Sequence, residues 1–190
     1  MKLSFIAFLI GSLVAIAAMG QTEEMVVLKT NTGDIEGTLT MPEAKLPVPV
    51  ALIIAGSGPT DRDGNNPMMK NNSLKMLSEE LAKKGIATLR YDKRGIAKSR
   101  AAGLTEADLR FDHYINDAKE WIQLLEQNKN FNQVVVIGHS EGALIGMMAL
   151  QDEKAGKYIS IAGVGKRADQ LIRDQLKAQP AYVLEQSTPI

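Results

Sequence analysis

Apolar runs of strand length at 48–55, 134–137 and 158–162, with a further strand-like run at 86–91, alternate with segments whose apolar residues fall at helical spacing. A run apolar at every position suits a strand buried on both faces. Leu74, Leu77 and Leu81 mark a helix over 73–84, opened by Asn72 or Ser73 and closed by Gly85. Ile115, Ala118, Trp121, Ile122 and Leu125 form the apolar stripe of a second helix over 112–127. Segments 143–151 and 168–185 read as a third helix and a more polar fourth. Strands alternating with helices predict an α/β fold: a mainly parallel sheet, flanked by helices, with right-handed crossovers. Ahead of them, 26–30 and 35–41 flank the turn Asn31-Thr32-Gly33-Asp34 and predict a β-hairpin that adds antiparallel strands at one edge. All four runs, 48–55, 86–91, 134–137 and 158–162, are expected to be buried.

The N-terminus reads as an export signal. Met1-Lys2 gives a short positive start, 3–18 is nearly all apolar, and Ala18-Met19-Gly20 places small residues before a cleavage point at Gln21. The apolar run falls short of the ~20 residues that span a bilayer. The expectation is a cleaved signal over 1–20, no stable membrane insertion afterwards, and a periplasmic or extracellular product. With no cysteine, a lipid anchor, a disulfide, a thiolate nucleophile and a thiolate metal site are all excluded. Twenty-two basic residues balance 22 acidic ones for a net charge of +0, so no field draws nucleic acid.

The run 134–137 leads directly into Gly138-His139-Ser140-Glu141-Gly142, and a helix leaves it. A G-x-S-x-G pattern between strand and helix fits a nucleophile elbow, in which Ser140 sits on a strained, sharp turn. Gly138 and Gly142 remove side chains that would clash as strand and helix close. The helix N-terminus places positive partial charge near a developing oxyanion. Glu141 would contribute its backbone N–H to the oxyanion hole, and its carboxylate would be solvated or paired. His139 precedes the nucleophile and points elsewhere in such a turn.

Upstream, the run 48–55 ends in Gly56-Ser57-Gly58-Pro59. Acyl transfer needs a second N–H aimed at the oxyanion, and Gly58, then Ser57, are the candidates. No G-K-[ST] follows, so this is not a phosphate loop. A third loop, Asp92-Lys93-Arg94-Gly95-Ile96-Ala97, leaves the strand at 86–91. Asp92 and Arg94 are expected to pair and pin it, with Gly95 in a left-handed turn. No metal or organic cofactor is implied; Asp61 and Asp63 lack the calcium-loop pattern.

In this order, the three features resemble the α/β-hydrolase superfamily. The nearer likeness is to serine-aminopeptidase-like and lysophospholipase-like hydrolases and exported bacterial esterases, which combine a Gly-rich loop with Pro, a D-x-R-G-x-G-x-S loop and a G-H-S-x-G elbow. Ala97 departs from that pattern, standing where a second glycine is usual. The resemblance implies a hydrolase core over 21–165 and the start of a helical cap over 166–190. It also implies hydrolysis of a small acyl substrate, a carboxylic ester or alternatively a peptide, through acyl-Ser140.

Such a serine needs a histidine base and an acid later in the chain. The two histidines, His113 and His139, both precede Ser140, and His113 falls on a helix. Asp152, Asp169 and Asp174 fall on helices or their edges and are not nominated. The expectation is therefore a C-terminally incomplete hydrolase, weak or inactive as it stands, with an uncovered sheet edge. A non-catalytic exported relative is the other reading.

Overall fold

The computed structural model describes residues 20–105, 107–151 and 156–177. The expected signal up to Met19, Asp152, and 178–190 of the expected cap lie outside the described residues. The strands are β1 (Thr22–Thr30), β2 (Gly33–Met41), β3 (Val48–Ile54), β4 (Ala87–Tyr91), β5 (Phe131–His139) and β6 (Lys157–Ile161). The helices are α1 (Ser73–Lys83), α2 (Phe111–Gln127), α3 (Glu141–Ala149) and α4 (Ala168–Lys177), with a 3-10 helix at Ala97–Ala102. One sheet has the order β1-β2-β4-β3-β5-β6. β1, β2 and β4 pair antiparallel, and β4, β3, β5 and β6 pair parallel. A mostly parallel sheet flanked by helices and led by an antiparallel hairpin is the α/β-hydrolase arrangement, as expected.

The alternation along each strand sorts the core onto two faces. Val50, Leu52, Ile54, Leu89, Tyr91, Val134 and Val136 share one buried cluster with Trp121, Ile122 and Leu125 of α2 and Ile145 of α3. Ala51, Ile53, Ala55 and Ile137 share the other with Leu74, Leu77 and Leu81 of α1. Trp121 is 0% exposed and its ring stands 5.8 Å from that of Tyr91. Truncating such a side chain costs about 3–5 kcal/mol.

Helix boundaries follow local chemistry. Gly85 takes φ +78° after α1, and the Ile86 N–H returns to the Leu81 carbonyl at 3.1 Å, closing the helix as expected. The start differs from expectation. Asn72 makes no side-chain cap; its Oδ1 accepts from Asn65 instead. The Asp63 carbonyl takes the Leu74 and Lys75 N–H groups at 3.1 and 3.3 Å. A carbonyl from the preceding loop thus does the work of a capping side chain.

The run 158–162 is not buried. Every residue of β6 is exposed, with Tyr158 at 37%, Ile159 at 46% and Ile161 at 38%. Among the described residues β6 is the sheet's edge and pairs only with β5, while α1 packs over β4 and β2. An apolar run signals a surface fit for burial, and only neighbours on both sides bury it. The Tyr158 hydroxyl still reaches the Ala143 carbonyl at 2.6 Å and ties β6 to α3.

An apolar open edge favours pairing between chains. The protein is expected to associate at micromolar concentration, and Ile159→Lys to shift it towards monomer in sedimentation velocity with an unchanged melting temperature. A wild-type chain that is monomeric and unfolds cooperatively would refute this.

Candidate active site

β5 carries the chain to His139, and α3 begins at Glu141, so Ser140 alone makes the turn. It does so at φ 53°, ψ −118°, a conformation that costs a non-glycine residue about 1–3 kcal/mol. Its N–H donates to the Ile161 carbonyl at 2.9 Å, and its own carbonyl accepts from Ala143 at 3.0 Å. The flanking glycines are required by contact. A Cβ on Gly138 would stand 2.3 Å from the Gly142 carbonyl oxygen, and one on Gly142 would stand 2.3 Å from that of Ile54. α3 therefore starts in direct backbone contact with β3 and β5, and its first N–H groups open towards Ser140.

The loop after β3 passes beside the nucleophile. A Cβ on Gly56 would be 3.3 Å from the Ser140 Cβ and 3.1 Å from His139 Nδ1. Ser57 and Gly58 follow it into the open, and Gly58 takes φ +71°. Among the described residues neither the Ser57 nor the Gly58 N–H has a protein acceptor.

The Glu141 carboxylate is paired. It accepts from Lys93 Nζ at 2.8 Å, and the same ammonium donates to the Gly56 carbonyl at 2.7 Å. The Tyr114 ring centroid is 5.2 Å from Nζ, within cation–π range. The Lys93 side chain is 3% exposed. The sequence reading passed over Lys93 because lysine is the residue least often buried. No spacing marks it out.

Asp92 and Arg94 do not pair with each other, contrary to expectation. Asp92 accepts from the Arg62 backbone N–H and from Arg62 Nη2, both at 2.7 Å, and from the Lys98 N–H at 3.2 Å. Arg94 forms a two-pronged pair with Asp117 of α2, Nε to Oδ2 at 2.8 Å and Nη2 to Oδ1 at 2.5 Å. Burial pushes the Asp117 carboxyl up from its ordinary value, and the Arg94 guanidinium pulls it back. The physical reason for the exchange is burial. Asp117 is 2% exposed, and the Arg62 side chain is 12% exposed. A local Asp92–Arg94 pair would strip Asp117 of its counter-charge and leave Arg62 only the longer contact to Glu36 at 3.4 Å, and an unpaired buried charge costs several kcal/mol. Asp61 and Asp63 are likewise committed: Asp61 Oδ1 takes the Asp63 and Asn65 N–H groups, and Asp63 pairs with Arg90.

Among the described residues neither histidine is held by a carboxylate. His113 Nδ1 accepts the Arg110 N–H at 2.9 Å at the start of α2, and His139 ends β5 against Gly56. Among the described residues no hydrogen bond or ion pair joins an imidazole to an acid.

Gly95 is left-handed at φ +79°, as expected. Ala97, in the place of the usual second glycine, is left-handed too at φ +44°. A Cβ there costs about 1–2 kcal/mol. Ala97→Gly is therefore expected to raise stability by about 1 kcal/mol, net of the entropy that glycine adds to the unfolded chain. The check is a urea midpoint shifted upward with an unchanged slope; a midpoint that stays put would show that the loop relaxes the strain.

Residues 70–183 match the family described as serine aminopeptidase, S33. The chain is 32% identical over 144 residues to the esterase EstD of Thermotoga maritima, covering 75% of this chain and 34% of that one. It thus spans about a third of the curated relative it matches. Among solved structures, an α/β serine hydrolase without lid from Xanthomonas campestris superposes with a TM-score of 0.60 at 22% identity, covering 76% of this chain and 63% of that one. Dienelactone hydrolase from Anabaena variabilis gives 0.59 at 21%, covering 76% and 65%. At these identities the structures speak for the fold alone. The family match spans more than half the residues and takes in the elbow and the third loop, so this chain belongs to the serine aminopeptidase, S33, family of α/β hydrolases.

Proposed function

We propose that Ser140 is the nucleophile of a carboxylic ester hydrolase. The observation that carries this is the backbone of Ser140, strained at the N-terminus of α3 with the Gly56 loop against its side chain. Strain of this kind persists where the surrounding structure over-determines it, and here it lifts a hydroxyl above the C-terminal edge of a parallel sheet. Ser140 Oγ would attack the ester carbonyl carbon while its proton passes to a base. The carbonyl electron pair moves onto oxygen, where the Glu141 N–H and the Gly58 or Ser57 N–H receive it. Collapse breaks the C–O bond, the alcohol leaves with the proton, and water then releases the acid from acyl-Ser140.

The base is the open term. His113 and His139 are the chain's two imidazoles, and neither is oriented by an acid among the described residues. Full acceleration on this reading needs a histidine and a carboxylate from elsewhere; oxyanion donors and binding alone leave a residual rate. The family's description favours a second reading, a peptidase using the same acyl-Ser140 chemistry.

A fluorophosphonate probe tests the nucleophile. Slow labelling at Ser140, located by mass spectrometry and abolished in Ser140→Ala, is expected; labelling that survives the substitution would remove Ser140 from the reaction. Hydrolysis of short acyl esters in preference to aminoacyl amides separates the ester reading from the peptidase one. We further propose export to the periplasm or exterior. The mature protein is expected to begin at Gln21, and an exported product whose intact mass includes Met1 to Gly20 would overturn cleavage.

A further inference from the structure

We infer that Lys93 is a positioning residue that holds the two halves of the oxyanion hole in register. This role presupposes Ser140 as the nucleophile. The ammonium touches both donor segments at once, the Gly56 carbonyl at 2.7 Å and the Glu141 carboxylate at 2.8 Å. Its three N–H bonds have three partners, counting the face of Tyr114.

The Gly56 contact carries the argument. The Gly56 carbonyl and the Ser57 N–H belong to one planar peptide, and in a trans peptide they point in opposite directions. Fixing the carbonyl on a buried ammonium therefore fixes the aim of the Ser57 N–H, which has no protein acceptor among the described residues. Gly56 itself stands against Ser140. The ammonium also polarises that peptide, which strengthens its N–H as a donor. On the other side, Glu141 bears the N–H that follows the nucleophile, so the ion pair sets the spacing between the two donors.

A lysine serving only to neutralise Glu141 would make none of these demands. The Glu141 side chain is 31% exposed and can rehydrate without a partner. Lys93 at 3% exposure cannot, and its position at the centre of three segments is what a register device requires.

The test compares the full chain with Lys93→Met and with the double variant Lys93→Met/Glu141→Met. Removing Glu141 together with Lys93 leaves no unpaired charge at this part-buried site, so the double variant keeps the question open even where the single one folds poorly. The readouts are the rate at which a fluorophosphonate labels Ser140, the melting temperature, and the amide proton shift of Ser57. Losing one oxyanion donor costs about a hundredfold or more, so a misaimed one is expected to slow labelling by about ten- to a hundredfold. The double variant is expected to melt like wild type and still label slowly, with the Ser57 amide shifted and the β3 amides unchanged. A double variant that labels at the wild-type rate would reduce Lys93 to charge balance and overturn the inference. If wild-type Ser140 does not label at all, no base reaches it in this chain; the Ser57 amide then tests Lys93 alone, and an unchanged shift in both variants sinks it.

Discussion

The start of α3 sits so close to β3 and β5 that backbone meets backbone. Gly142 lies against the Ile54 and Ala55 carbonyls, and Gly138 against the Gly142 carbonyl. Without side chains at these two points the helix can begin one residue after the strand ends. Ser140 then has no room to turn except through positive φ. The strained Ser140 backbone, its half-buried side chain at the start of α3 and the nearby Gly56 loop all follow from that contact. A looser junction would let Ser140 relax, and the hydroxyl would lose its fixed height above the sheet.

Around this junction the buried charges form an ordered set. Asp92, Lys93 and Arg94 are consecutive and nearly inaccessible, yet each pairs with a different element: Arg62 in the loop after β3, Glu141 of α3, and Asp117 of α2. Buried pairs contribute little net stability, because desolvation offsets most of the attraction. Their effect is geometric. One short loop is tied to three neighbours by contacts that fail if any of them shifts, and those neighbours include both donor-bearing segments of the proposed oxyanion hole.

The mainly parallel sheet, its leading hairpin and the strand–turn–helix at Ser140 were legible in the sequence because each rests on local periodicity or on a glycine pattern with one steric meaning. The buried pairs were not. Asp92 and Arg94 look complementary at a spacing of two, and nothing local reveals Asp117 or Arg62. The apolar residues of β6 were read correctly as a surface fit for burial and wrongly as buried, since periodicity reports what a strand can pack against and not whether a neighbour is there. Lys93 was hidden by its own chemistry, a residue type whose default place is in water.

The backbone conformations show where this fold concentrates its cost. After β3, Gly58 is left-handed; after β4, Gly95 and Ala97; after β5, Ser140; after β6, Ala162. The loop that follows each parallel strand thus contains a residue at positive φ, and these loops share the C-terminal rim. Three of these residues, Ala97, Ser140 and Ala162, are not glycine and carry the steric penalty of a Cβ there. A chain under selection for stability alone would place glycine at such positions. Strain retained along one rim, beside a ring of fixed charges, points to a rim whose loops must hold particular directions, and Ser140 stands in the middle of it.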